Sequence, residues 1–256
     1  MPFTFSHPVV AILFKKPIQL GRLSLTGVVL GSIAPDLEYY FRLRMQGDFG
    51  HQAWGIVVLD LPLALLVAFI FHQIIRDALI DHVPIFLKQR LIRFQGLDWW
   101  DYFKQHWFSV VLSIFLGILT HIVWDAFTHK TGFFVQNLPF LNYGFAVGNF
   151  SIPIYKVVQH ASSLLGLGLI LYFFHQLPKQ VILSQDDEKS KNIQYWLYVF
   201  FSSLAFFSLW FYLHPELRSR LVDMLVAGIA CGFWGFTLIS MWYKSISYKK
   251  QLSKLK

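Results

Sequence analysis

The stretch THIVWDAFTH, residues 120–129, places His121, Asp125 and His129 at intervals of four. On an α-helix, with about 3.6 residues per turn and about 1.5 Å of rise per residue, side chains at that spacing stack on one face. Neighbours at i and i+4 can grip one metal ion, as in other helix-borne metal sites. Zinc accepts imidazole nitrogen and carboxylate oxygen at about 2 Å, and a catalytic site keeps a position open for water. An HxxxD pair alone is a weak signal, because a chain with 10 histidines contains such pairs by chance. Its weight depends on whether the other candidates, His7, Asp36, His51 and His160, reach the same place.

The elements that carry these residues are apolar. The chain has 256 residues, of which 55% are hydrophobic, 18% aromatic and only 14% charged, with a mean hydropathy of +0.50. A soluble domain carries about 25% charged residues. The deficit predicts an all-α polytopic membrane protein with lipid as its surroundings. The formal net charge of +8 then belongs to cytoplasmic loops. No basic run interleaved with aromatics points to nucleic acid. Cys231 is the only cysteine, lies in an apolar run, and is expected to be a small core residue. In MPFTFSHPVVAILFKKP the basic pair follows the apolar run without a small-residue cleavage site, so no signal peptide is expected.

Five segments, roughly 54–75, 107–127, 157–177, 193–213 and 221–243, are long enough to cross a bilayer as helices, within one integral domain 1–256. Before them lies an N-terminal segment, 1–53, containing His7, Asp36 and His51. Its apolar stretch 22–34 is expected to pack on the bundle or re-enter the membrane, and to end at Pro35. That would aim Asp36 from a turn. Pro8 is expected at a helix start, with His7 beside it. The stretch PIFLKQRLIRFQGLDWWDYFKQHW reads as a basic amphipathic helix followed by a Trp-rich interfacial segment. Residues 178–192 read as a polar loop.

Five spans fix the sidedness of everything else. His51 precedes the first span, His121, Asp125 and His129 close the second, and His160 opens the third. All therefore face one side of the membrane, together with His7 and Asp36. The expectation is that His7, Asp36, His51, Asp125 and His160 approach within about 5 Å of a common point, a tolerance that admits two ions about 3.5–4 Å apart. The opposite side carries 13 of the 22 lysines and arginines. The positive-inside rule makes that side cytoplasmic, with the C-terminus, and the His/Asp side extracytoplasmic.

An ionisable side chain within a span costs roughly 2.5–3.5 kcal/mol on insertion scales and normally has a partner. For Asp125 the partners in reach are His121 and His160. Asp60, in VVLDLPLALL, lies deeper. A hydrogen bond to backbone loosened by Pro62 is slightly favoured for it over a proton relay. Glu38 either supports Asp36 or is exposed. His72, His82, His106 and His175 fall on the other face and read as interfacial histidines, and His214 ends the fourth span apart from the cluster.

MPFTFSHP, IAPDLEYY, HQAWGIVVLDLPLALL and THIVWDAFTHKTG together resemble a bacterial membrane family catalogued as a domain of unknown function, numbered 4184, over about residues 1–240. That family has no established activity and implies a membrane protein. More distantly, the order His7, Asp36, His51, His121–Asp125, His129, His160 is similar to zinc-dependent phospholipase C and to bacterial inner-membrane metal-dependent hydrolases. In that phospholipase the HxxxD aspartate bridges two zinc ions, a role that by analogy falls to Asp125. A glutamate there follows the last histidine by four residues and completes a further metal site; here the position is Leu164. The resemblance therefore implies one or two divalent ions of the zinc type, not three, with His7, Asp36, His51, His121, Asp125, His129 and His160 as candidate ligands and Asp36 and Asp125 nearest the chemistry.

Three functions compete. The first is a metal-dependent hydrolase acting on a phosphoester or lipid-derived substrate at the membrane face. The second is a non-enzymatic transporter or metal-handling protein in which Asp60 relays protons or ions. The third is a haem protein with His121 and His160 as axial ligands, which the adjacent Asp125 disfavours. Oligomeric state is not legible.

Overall fold

The computed structural model describes residues 4–148, 150–182 and 188–254. Helix dominates. Five helical segments are long and apolar enough to cross a membrane: Ile56–His82, Trp99–Asn137, Ile154–His175, Asn192–Leu213 and Leu221–Ile246. They coincide with the five expected spans, and the all-α polytopic class holds. The principal helices are α1 (Leu25–Phe41), α2 (Ile56–His82, opening with a π-helical turn at Ile56–Asp60), α3 (Trp99–Thr128), α4 (Ile154–His175), α5 (Glu188–Leu213) and α6 (Leu221–Lys254). A small antiparallel hairpin, β1 (Gly144–Val147) and β2 (Phe150–Pro153), joins the second and third spans with Phe145 opposite Ile152.

Packing divides the chain into two compact units. One comprises Met1–Glu38, Asp48–Leu65 and His106–Gln176; the other comprises Tyr39–Gly47, Leu66–Gln105 and Leu177–Lys256.

In the first unit, α1 begins with Ser24, whose hydroxyl accepts the Gly27 N–H at 3.2 Å, an N-cap bond. The helix then lies backbone-to-backbone on α3. The contact is made by glycines: a Cβ on Gly31 would collide with the Ile114 carbonyl, and one on Gly117 would lie 2.5 Å from the Val28 carbonyl oxygen. GVVLG, residues 27–31, is the small-xxx-small spacing that lets apolar helices approach this closely. Pro35 does not end the helix as expected, since α1 continues to Phe41. Proline is tolerated within helices of this apolar kind because packed neighbours re-satisfy the freed backbone groups. Asp36 is therefore carried by a helix and not by a turn. Pro8 likewise lies inside a 3₁₀-helix, Thr4–Ile12, and does not open one.

In the second unit, α5 and α6 run antiparallel. Tyr195 Oη lies 2.8 Å from Ser240 Oγ, and the Ser202 hydroxyl donates to the Gly235 carbonyl at 3.3 Å. Cys231 is buried with Trp210, Leu217 and Ala227, as a core residue should be. The basic helix Ile85–Leu91 is turned the other way from the expectation: Lys88 and Arg90 are buried, while Ile85 and Phe86 are exposed. Backbone carbonyls draw the cations inward, Lys88 Nζ to Asp81 at 3.4 Å and Arg90 Nη1 to Phe86 at 3.1 Å. The Trp-rich stretch is not a separate interfacial segment but the start of α3, which bends at His106 (φ −128°, ψ 24°). Of the polar loop 178–192, residues 183–187 lie outside those described, and α5 begins at Glu188.

Candidate metal centre

Every residue of the cluster belongs to the first unit. α3 supplies His121 and Asp125 on one face, as their spacing requires, and His129 follows its last residue. His121 is fully buried, and its Nδ1 lies 2.7 Å from the Ser32 carbonyl oxygen of α1. A carbonyl can only accept, so Nδ1 carries a proton, and in the neutral ring Nε2 is the nitrogen with the lone pair. The glycine contact between α1 and α3 is what brings Ser32 that close.

The 3₁₀-helix supplies His7. Residues three apart eclipse one another in that geometry, and Thr4, His7 and Val10 are all buried on one side. Thr4 Oγ1 donates to Asp36 Oδ2 at 2.5 Å, which leaves Oδ1 of Asp36 facing the histidines. His7 stacks on His121 with ring centroids 4.1 Å apart and packs against Trp124 at 4.8 Å. Burial, with the His121 imidazole alongside, pushes the His7 pKa down to about 3. That imidazole is neutral at neutral pH, the state in which it can ligate.

The ligand atoms converge at separations longer than ordinary hydrogen bonds. His121 Nε2 lies 3.4 Å from Asp125 Oδ2 and 3.8 Å from Asp36 Oδ1. His51 Nε2 lies 3.8 Å from Asp36 Oδ1 and 3.7 Å from Asp125 Oδ2, and His7 Nε2 lies 3.7 Å from Asp125 Oδ1. These separations exceed hydrogen bonds, which run about 2.7–3.2 Å. Two atoms bound tetrahedrally to one ion at about 2.0–2.1 Å would stand about 3.3 Å apart. Two groups, His7–His121–Asp125 and Asp36–His51–His121, have ligand atoms close enough together to hold a metal ion; both include His121, whose one free nitrogen can serve one ion at a time. Asp125 offers Oδ1 to His7 and Oδ2 to His51 and His121, the disposition of a carboxylate shared between two positions.

The donor set also fits a cation by what it lacks. His7 Nδ1 and Nε2, His121 Nε2 and Asp125 Oδ1 are buried with no hydrogen-bond partner among the described residues. A buried polar atom without a partner costs roughly 1–3 kcal/mol. A neutral His7 keeps one lone pair, so His7, His121 Nε2 and Asp125 Oδ1 together offer lone pairs and carboxylate charge suited to a cation.

Two expected members stand apart. His160 is exposed on α4, makes none of these ion pairs and belongs to neither group of converging ligand atoms among the described residues. One position along α4 turns a side chain by about 100°; it is Gln159, not His160, that is buried. With His160 outside, paired axial haem ligation by His121 and His160 has no geometric basis. His129 flanks the cluster. Its Nδ1 is 3.4 Å from Asp125 Oδ2, but it also lies 3.2 Å from the Asp125 carbonyl oxygen of its own helix, and it joins neither group. Asp60 is fully buried, and both its oxygens lack a partner among the described residues. The backbone hydrogen bond expected for it is not made. Thr4, Ser32 and Trp124 were not foreseen. GVVLG was the available signal for Ser32, since the glycine spacing marks where α1 meets another helix.

Fold and cluster together define a class: a helical protein with five apolar helices of membrane-spanning length and a buried His/Asp cluster able to hold a metal ion. Within that class, the chain belongs to the family described as Domain of unknown function (DUF4184), whose profile matches residues 1–241. No curated protein and no solved structure matches it.

Proposed function

We propose that the cluster is the metal centre of a membrane-embedded hydrolase acting on a phosphoester or lipid-derived substrate at the membrane face. The observation that carries this is the convergence, at 3.4–3.8 Å, of three imidazole nitrogens and two carboxylates, with His7, His121 Nε2 and Asp125 Oδ1 buried without a hydrogen-bond partner among the described residues. His7, Asp36, His51, His121 and Asp125 would hold one or two divalent ions, of which zinc suits the all-N/O donor set best. Such an ion lowers the pKa of a bound water and polarises a phosphoryl or acyl oxygen.

The chain's own groups prepare the site. Ser32 fixes the His121 tautomer and Thr4 fixes the Asp36 rotamer, the outer-shell support that metal ligands need. Asp36 and Asp125 set negative charge on both sides of His121. His51 is the half-open member, its side chain 36% exposed where His7 and His121 are closed off, so substrate and water would enter beside it. By the distribution of lysine and arginine, this site faces the extracytoplasmic side and the C-terminus the cytoplasm. The test is hydrolysis of a phosphoester lipid in mixed micelles by the purified protein. Activity should be lost on chelation and in Asp125→Ala. Activity that survives both would refute the proposal.

Asp60 favours a second reading. A carboxyl that is fully buried inside the first span, with no hydrogen-bond partner among the described residues, is the kind of group ion pathways use. In a transporter or metal-handling protein it would relay protons or ions past the same cluster. Metal uptake into vesicles that disappears in Asp60→Asn would support transport. Lipid hydrolysis that persists in Asp60→Asn would favour the enzyme.

A further inference from the structure

His51 differs from His7, Asp36, His121 and Asp125 because no helix carries it. It lies between α1 and α2 with its side chain 36% exposed. A ligand on a loop loses conformational freedom on binding unless its backbone is already fixed. What fixes it here is Glu38, two residues beyond Asp36 on α1 and only 3% exposed. Its Oε1 accepts the Asp48 N–H at 3.0 Å, and its Oε2 accepts the Phe49 and Gly50 N–H groups at 3.0 and 2.8 Å. Bonds to an ionised acceptor are roughly twice as strong as neutral ones. The three donors immediately precede His51. Gly50 completes the seat, because a Cβ there would stand 2.5 Å from the Pro35 carbonyl oxygen. Neighbouring residues of α1 thus do two jobs: Asp36 faces the cluster, and Glu38 holds the backbone that delivers His51.

We propose that Glu38 is a positioning residue of the metal centre, holding the 48–50 backbone so that His51 Nε2 stands opposite Asp36 and Asp125. The inference rests on the metal-centre reading. Glu38→Gln removes one acceptor oxygen and turns an amide N–H₂ toward backbone N–H groups. Losses of outer-shell support weaken metal binding by about 10–100-fold.

The experiment is zinc affinity, measured by competition with a chromophoric chelator, on the full-length protein in detergent. Wild type, Glu38→Gln, His51→Ala and the double variant are compared. Glu38→Gln should bind about 10–100-fold more weakly, and the double variant should match His51→Ala within about 2-fold, because Glu38 acts only through His51. Wild-type affinity in Glu38→Gln, or a further tenfold loss in the double variant, would overturn the proposal; the latter would make Glu38 a general stabiliser. Should Glu38→Gln fail to fold, Gly50→Ala displaces the same backbone and should follow the same pattern, weak alone and without added effect beside His51→Ala. A wild-type protein that binds no zinc would overturn the metal-centre reading itself, a result distinguishable from either failure.

Discussion

The two units each place histidines and aspartates at helical spacing, mostly buried in the first and half-buried or exposed in the second. In the second unit His72, Arg76, Asp77, Asp81 and His82 follow one another along α2. Arg76 pairs with both oxygens of Asp77 at 2.6 and 3.1 Å and reaches His72 Nδ1 at 3.2 Å. His72 stacks on Trp99, His82 stacks on Tyr195 and bonds the Ala78 carbonyl at 2.7 Å, and Gln95 donates to Asp81. None of these five residues has a buried side-chain atom left without a partner among the described residues. In the first unit the same residue types stand 3.4–3.8 Å apart, and four of their buried atoms have no hydrogen-bond partner among the described residues. Spacing alone does not separate the two groups. An arginine, a glutamine and stacked aromatics close one of them, whereas the other brings together groups that could hold a metal ion.

Metal dependence of stability should break the symmetry most. Anything that binds only the folded state stabilises it by mass action, about 4 kcal/mol at a thousandfold excess over Kd. Chelation should therefore lower the unfolding temperature of wild type and of His82→Ala alike, and leave Asp125→Ala unmoved. Next comes the sharing of Asp125. If its two oxygens serve two ions, His7→Ala should halve the zinc content while keeping the Asp36–His51–His121 position filled.

Gly31→Ala tests the support beneath the cluster. A Cβ against the Ile114 carbonyl should cost roughly 1–3 kcal/mol of stability, as overpacking does, and should weaken zinc binding by parting Ser32 from His121. Thr4→Val should weaken zinc binding about tenfold through Asp36, with little change in the unfolding temperature. The smallest effects belong to the outsiders. His72→Ala should cost about 1 kcal/mol of stability from its lost bond and no metal, and His160→Ala should change neither quantity.

Which helical segments are long and apolar enough to span a membrane was legible in the sequence, and azimuth was not. Hydropathy and length placed five spans, and their alternation brought His7, Asp36, His51 and the α3 residues to one face. His121 and Asp125 could be paired because they share one helix and one period. His160 could not be placed this way, because a single residue along α4 separates a buried side chain from an exposed one, and only packing against Thr4–Ile12 decides which. The two prolines misled for a related reason. Pro8 and Pro35 read as helix boundaries under rules suited to water-exposed chain, yet both lie inside helices that their neighbours hold in place. Asp60 was legible as an anomaly, but its lack of a partner was not, since that depends on every residue around it.

The central claim is that the first unit's cluster, and not the second's, holds metal. Elemental analysis of purified wild type beside Asp125→Ala and His72→Ala tests it directly. The account predicts about one or two equivalents of a transition metal, chiefly zinc, in wild type and in His72→Ala, and almost none in Asp125→Ala. Metal-free wild type, or equal metal in all three proteins, would contradict it.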